Sequence, residues 1–158
     1  MMRDRQIAWV PTFAPVQMQM DHADRMAWDA MVGANLKRML DQHAHSARTA
    51  HASGVRLIAG SDAASYGVAH GLGFLAELEM MERSGLSPLA VIHAATGACS
   101  DRHAFGEEFG RIKPGFICRF LLTRHSPLER IANLRKHRFM IFGSAVFETK
   151  GSESFAGM

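Results

Sequence analysis

The sequence predicts an α/β fold that gives way to a small β unit toward its C-terminus, and three observations predict it. Two short apolar runs, residues 6–10 and 55–59, each stop at a turn-forming cluster and are followed by residues at helical spacing. Helix start and stop signals recur at Asp21, Gly54, Gly85 and the pair Ser87-Pro88. Beyond Ala104 the helical spacing fades, and short strand-like runs separated by Pro-Gly and Gly-Ser pairs take over.

Taken in order, Gln6-Ile7-Ala8-Trp9-Val10 reads as a buried strand stopped by Pro11, with a Met-rich loop over 16–20. From about 21 to 52 the residues Met26, Met31, Leu36, Met39 and Leu40 recur at spacings of three to five, which predicts helix. Asp21 is its expected N-cap, Gly54 its expected C′ residue, and Gly33 a candidate break. Val55-Arg56-Leu57-Ile58-Ala59 forms a second strand that ends in Gly60-Ser61-Asp62-Ala63. A glycine-containing loop over 65–73 leads into a helix over about 74–83, with Phe74, Leu75, Leu78 and Met81 on one stripe and Gly85 as its stop. Ser87 as N-cap and Pro88 at N1 begin another helix, running to about 96.

The β unit is expected as a short strand and Pro-Gly turn over 110–115, a strand over 116–123, and a turn or short helix over 126–129. A strand over 137–142 then passes through Gly143-Ser144 into a strand over 145–149. These readings divide the chain into an α/β part, 1–109, a β segment, 110–150, and a flexible tail, 151–158.

Composition narrows the function classes. With 47% hydrophobic and 21% charged residues, the chain is globular, which excludes disorder, collagen and coiled coil. The net charge of +3 comes from residues 101–138, where nine basic residues meet four acidic ones. Those basic residues are scattered through strands and turns with no basic helical stripe, so a solvated face fits them better than a nucleic-acid interface. Cys99 and Cys118 have no metal-ligand spacing and are too few for a disulfide scaffold, as expected of reduced thiols in a cytoplasmic protein. No apolar run reaches about 18 residues, so no membrane partner is expected. Trp9 and Pro11 follow the N-terminus too soon for a secretory signal.

The feature with most chemistry in it is Ala59-Gly60-Ser61-Asp62-Ala63, at the C-terminal end of a buried parallel-type strand. In α/β barrels that end is the catalytic face, where a carboxylate can meet a metal or a water. An aspartate after an apolar strand also serves as a helix cap or turn former, and the local pattern leaves both roles open. Ser61 and Ser65 have no nucleophile-elbow context. Glu77 and Glu79 read as one core-edge and one solvent-facing carboxylate, and His93 as a core or boundary histidine.

The ordered series Val10-Pro11-Thr12, Gly54-Val55, Gly60-Ser61-Asp62-Ala63, His70-Gly71, Glu77-Leu78-Glu79, Ser84-Gly85-Leu86-Ser87-Pro88, Ala94-Ala95-Thr96 and Gly110-Arg111-Ile112-Lys113-Pro114-Gly115 resembles the end of an amidohydrolase-superfamily enzyme. The nearest branch is that of imidazolonepropionase-like and Xaa-Pro-dipeptidase-like metal hydrolases, and the resemblance spans about residues 6–148. It implies the C-terminal portion of a TIM barrel, its last two strands with their helices, followed by a small β unit of the accessory β-sandwich. It also implies that Asp62 is the metal ligand and catalytic base ending the eighth strand, that His70 is a substrate-binding group, and that the cofactor is a divalent metal such as zinc. The substrate class would be a cyclic amide or peptide-like small molecule, hydrolysed at a C–N bond.

A complete eight-stranded barrel needs about 250 residues, more than this chain holds. The family's other ligands (an HxH pair, a lysine or glutamate, and two further histidines) belong to earlier strands. His43-Ala44-His45 falls inside the long helix, where residues i and i+2 point about 200° apart, so a surface role fits it better. Arg119 stands where the family has an aspartate before the late strand. The chain alone is therefore expected to be inactive, and its unpaired strand edges predict self-association or pairing with a chain that carries the missing barrel half. A non-catalytic remnant serving assembly is the alternative.

Overall fold

The computed structural model describes residues 1–100 and 108–149; the expected tail at 151–158, and His103 with its polar neighbours Asp101 and Arg102, lie outside the described residues. The chain divides into two compact units, Met1–Ser87 and Pro88–Met158. It mixes helices with one three-stranded antiparallel sheet.

In the first unit, helix α1 (Ala14–Asp21) occupies the stretch expected to be a Met-rich loop. Its N-cap residue, Phe13, offers no side-chain hydrogen bond, and Pro15 in the first turn is its local start signal. Helix α2 (Ala30–Ala52) begins later than expected: Asp29, not Asp21, is the cap, its Oδ1 accepting the Val32 N–H at 2.9 Å. Gly33 lies inside α2, and the break falls at residues 22–29 instead. Gly54, with φ of +76°, follows the helix as expected of a C′ glycine.

The two expected strands are extended segments joined by a single parallel bridge, Trp9 to Leu57. The Trp9 N–H donates to the Arg56 carbonyl at 2.9 Å, and the Ile58 N–H to the Trp9 carbonyl at 3.0 Å. Leu57 is buried, but Ile7 and Val10 are 45% and 42% exposed, so the first segment is not the buried strand its composition suggests. Helix α3 (Leu72–Arg83) buries Glu77, Leu78, Met80 and Met81, and Gly85, with φ of +98°, follows it. The core of this unit gathers Phe13, Leu36, Leu40, Ala47, Leu57, Leu78 and Met81.

In the second unit, α4 (Pro88–Ala95) and α5 (Gly97–Ser100) precede strands β1 (Arg119–Thr123), β2 (His137–Phe142) and β3 (Ala145–Glu148). The strands pair antiparallel in the order β1-β2-β3, with Phe120 opposite Ile141 and Ile141 opposite Val146. The expected strand near residue 112 is a non-strand approach to the Pro114-Gly115 turn. A 3₁₀ helix (Ile131–Lys136), later than the short helix expected near 126–129, buries Ile131 and Asn133. Asn133 Nδ2 donates to the Ser126 carbonyl at 2.8 Å. Arg119 lies opposite Phe142 with its guanidinium 4.6 Å from the ring centroid, a cation–π contact open to this base and closed to an aspartate. Among the described residues, no helix is long and apolar enough to cross a membrane.

Candidate functional site

Because the Trp9–Leu57 bridge is parallel, the chain leaves both extended segments at the same end, at residues 10–12 and 60–62. The two exits are tightly packed: a Cβ built on Gly60 would sit 2.8 Å from Val10 Cγ1, closer than any side chain tolerates. Two residues on, Asp62 takes φ of +50°, in the left-handed region that aspartate enters more readily than most residues. Ala64 follows at φ of +84°, a strained position for a residue with a Cβ. The loop closes on itself through the Ala64 N–H to the Val68 carbonyl at 3.0 Å and the Val68 N–H to the Ser65 carbonyl at 2.9 Å.

Within this loop the Asp62 side chain is exposed, and its Oδ2 accepts the Ser65 hydroxyl at 2.6 Å. His70 is exposed in the turn before α3, where its carbonyl accepts the Leu72 N–H at 3.0 Å. The two residues named from the sequence thus share one loop, and no hydrogen bond joins them among the described residues. Asp62 takes the turn-forming role left open by its local pattern, and its carboxylate remains accessible to solvent.

Among the described residues, the most perturbed titratable group is one that sequence reasoning placed at the core edge. Glu77 is fully buried, and its Oε2 accepts the Ala14 N–H at 2.7 Å, so α3 supplies the cap that α1 lacks locally. Burial raises its pKa from 4.5 to about 7, against the downward pull of the Ala14, Phe13 and Thr12 amides. Its other oxygen, Oε1, is buried without a hydrogen-bond partner. The signal was available in the sequence, because Glu77 falls on the stripe of Phe74, Leu78 and Met81.

The histidines also sort by environment. His45 is exposed, whereas His43 is half-buried, its ring edge-on to Phe13 with centroids 6.1 Å apart and its Nδ1 buried without a partner. His93 is exposed rather than part of a core. Of the two free thiols, Cys99 is partly buried, which raises its pKa, and Cys118 is exposed. Among the described residues no group of three or more His, Cys, Asp or Glu side chains could hold a metal ion. A catalytic zinc keeps three protein ligands, so the lone Asp62 carboxylate does not make a metal site.

The fold is one found in amidohydrolase-type hydrolases. Particular structures that share it are a Xaa-Pro dipeptidase with methionine bound in its active site (TM-score 0.75, 21% identity), ochratoxinase from A. niger (0.73, 22%), and a prolidase complexed with N-methylphosphonate-L-proline (0.73, 16%). They cover 94%, 95% and 94% of this chain, but the chain covers only 36%, 34% and 36% of theirs. This chain therefore spans about a third of the length of the structures it resembles. No family model and no curated protein sequence matches it.

Proposed function

We propose that this chain is the C-terminal part of a metal-dependent amidohydrolase that cleaves a C–N bond in a cyclic amide or peptide-like substrate. The observation that carries the reading is the conjunction of fold and position. The backbone matches about a third of a dipeptidase over 94% of its own length, and Asp62 leaves the second of two parallel segments as a solvent-accessible carboxylate. On this reading the two extended segments are the last two barrel strands, and the sheet β1-β2-β3 is a piece of the accessory β-sandwich. The exposed Ile7 and Val10 support it, since an interior barrel strand needs apolar neighbours on both faces.

Asp62 then provides one carboxylate of a divalent-metal site, zinc being the expected metal, whose other ligands come from outside the described residues. It also accepts a proton from the attacking water, and a positioned base of this kind contributes roughly 10²–10⁴-fold to rate. His70, in the same loop, is the substrate-side group. The chain alone is inactive, located in the cytoplasm, and self-associates or pairs with a chain carrying the remaining barrel strands.

A second reading, a non-catalytic assembly module, is favoured by one observation: no metal-holding cluster among the described residues. The experiment that separates the two is hydrolysis of Xaa-Pro dipeptides and cyclic amides by the chain expressed with whatever reading frame lies upstream of Met1. Turnover that falls at least about a hundredfold in Asp62→Asn supports the hydrolase. No turnover in the extended protein supports the assembly module.

A further inference from the structure

The group that the proposed chemistry leaves unexplained is Glu77. A carboxylate with no exposed surface is a costly group to keep, and one of its oxygens has no hydrogen-bond partner. Its other oxygen receives the Ala14 N–H at 2.7 Å, at the start of α1. Just before that helix, Thr12 adopts φ of +55° and Phe13 is 1% exposed, so the chain turns sharply into the contact. The same turn follows Val10, whose Cγ1 lies against the Gly60 backbone two residues before Asp62. A physical chain of contacts therefore runs from Glu77, through the start of α1 and Val10, to Gly60 and the Asp62 loop.

We propose that Glu77 is a positioning residue for the Asp62 loop: a proton-controlled latch that holds the exit of the first extended segment against α3 when protonated and loosens it when ionised. The functional part of this inference rests on the reading of Asp62 given above; the latch itself does not. Burial favours the protonated carboxyl, the backbone amides facing it favour the ionised form, and burial is the larger effect. Against it α1 presents the Ala14, Phe13 and Thr12 amides, while Asp21, at the far end of that helix, is held by Gln17 Nε2 at 2.6 Å. Helix α2 brings His43, edge-on to the same Phe13. On α3 itself, Glu79 pairs with Arg83 at 3.6 Å.

The direction follows from the shift. The pKa in the folded protein, about 7, is above the ordinary 4.5, so the protonated form is the one folding favours. The stabilising contribution is complete below pH 4.5 and is lost as pH rises through about 7.

The test is an NMR titration of the Glu77 side-chain carboxyl in the full chain from pH 4 to 9, with amide exchange at Ala14 and backbone shifts at Gly60 and Ser65. The inference expects a Glu77 midpoint near 7 and an opening equilibrium at Ala14 that rises about fiftyfold or more between pH 5 and 8. The Gly60 and Ser65 shifts should follow the same midpoint, and Glu77→Gln should abolish both responses while keeping the acceptor for Ala14. A Glu77 midpoint near 4.5 overturns the latch, and the wild-type titration alone decides this even where the variant does not fold. Gly60 and Ser65 shifts that ignore the Glu77 midpoint overturn the positioning role. A response unchanged in Glu77→Gln assigns it to another group and overturns the inference. Neither readout depends on metal or turnover, so absence of hydrolysis leaves the latch standing and defeats only the hydrolase reading.

Discussion

The two units of this chain treat polar and apolar surface in opposite ways. The first draws a carboxylate inward, burying Glu77 completely so that it can cap α1. The second turns apolar side chains outward: Leu121, Met140 and Phe147, paired in a row across the sheet, are 44%, 38% and 53% exposed. In one unit a tertiary polar contact joins helices that pack around an apolar core. The other pairs its strands with exposed apolar side chains in a row on one sheet face, among the described residues. A buried carboxyl and an exposed apolar face each carry a free-energy cost.

Four substitutions sharpen that contrast, from the largest effect to the smallest. Both tryptophans, Trp9 and Trp28, belong to the first unit, so tryptophan fluorescence follows that unit specifically. Met81→Ala, at a position with no exposed surface, should lower its stability by about 2–5 kcal/mol in a fluorescence-detected urea titration. Glu77→Ala leaves the Ala14 N–H without its acceptor and should cost about 1–3 kcal/mol at pH 6 by the same method. In the second unit, Arg119→Ala removes the guanidinium over Phe142 and should cost only about 0.5–1 kcal/mol, read from amide exchange in β1 and β2. Asp62→Asn keeps a side chain that tolerates φ of +50° on an exposed loop, so stability should change by less than about 0.5 kcal/mol. A loss at Asp62 as large as that at Glu77 would make the loop aspartate a structural rather than a chemical residue.

Where sequence reasoning succeeded, the determining interactions are local. Gly85 closing α3, Ser87-Pro88 opening α4 and Gly143-Ser144 joining β2 to β3 are backbone requirements written within a few residues of where they act. Where it failed, the partner is far away in the chain. Helix α1 has no local cap and carries Pro15 in its first turn; its capping acceptor is Glu77, sixty-three residues later. The same separation left Glu77 legible only as a core-edge carboxylate on an apolar stripe, because the amide it caps lies far off in the chain. The first extended segment read as a buried strand because burial depends on neighbouring strands, and a single bridge to Leu57 does not cover Ile7 or Val10. At the candidate site, the family resemblance singled out Asp62 and His70 as expectations and the structure shows only where they lie, whereas the Ser65 hydroxyl on Asp62 appears only once the loop has folded back.

The central claim, that Asp62 serves a hydrolase site completed from outside this chain, is tested most directly by zinc content. The chain alone and the chain extended by its upstream reading frame should each be purified, as wild type and as Asp62→Asn, and their bound metal determined. The account predicts no stoichiometric zinc in the chain alone, stoichiometric zinc in the extended protein, and a marked loss of it in the extended Asp62→Asn variant. Stoichiometric zinc in the chain alone, or zinc in the extended protein that is indifferent to Asp62, would contradict it.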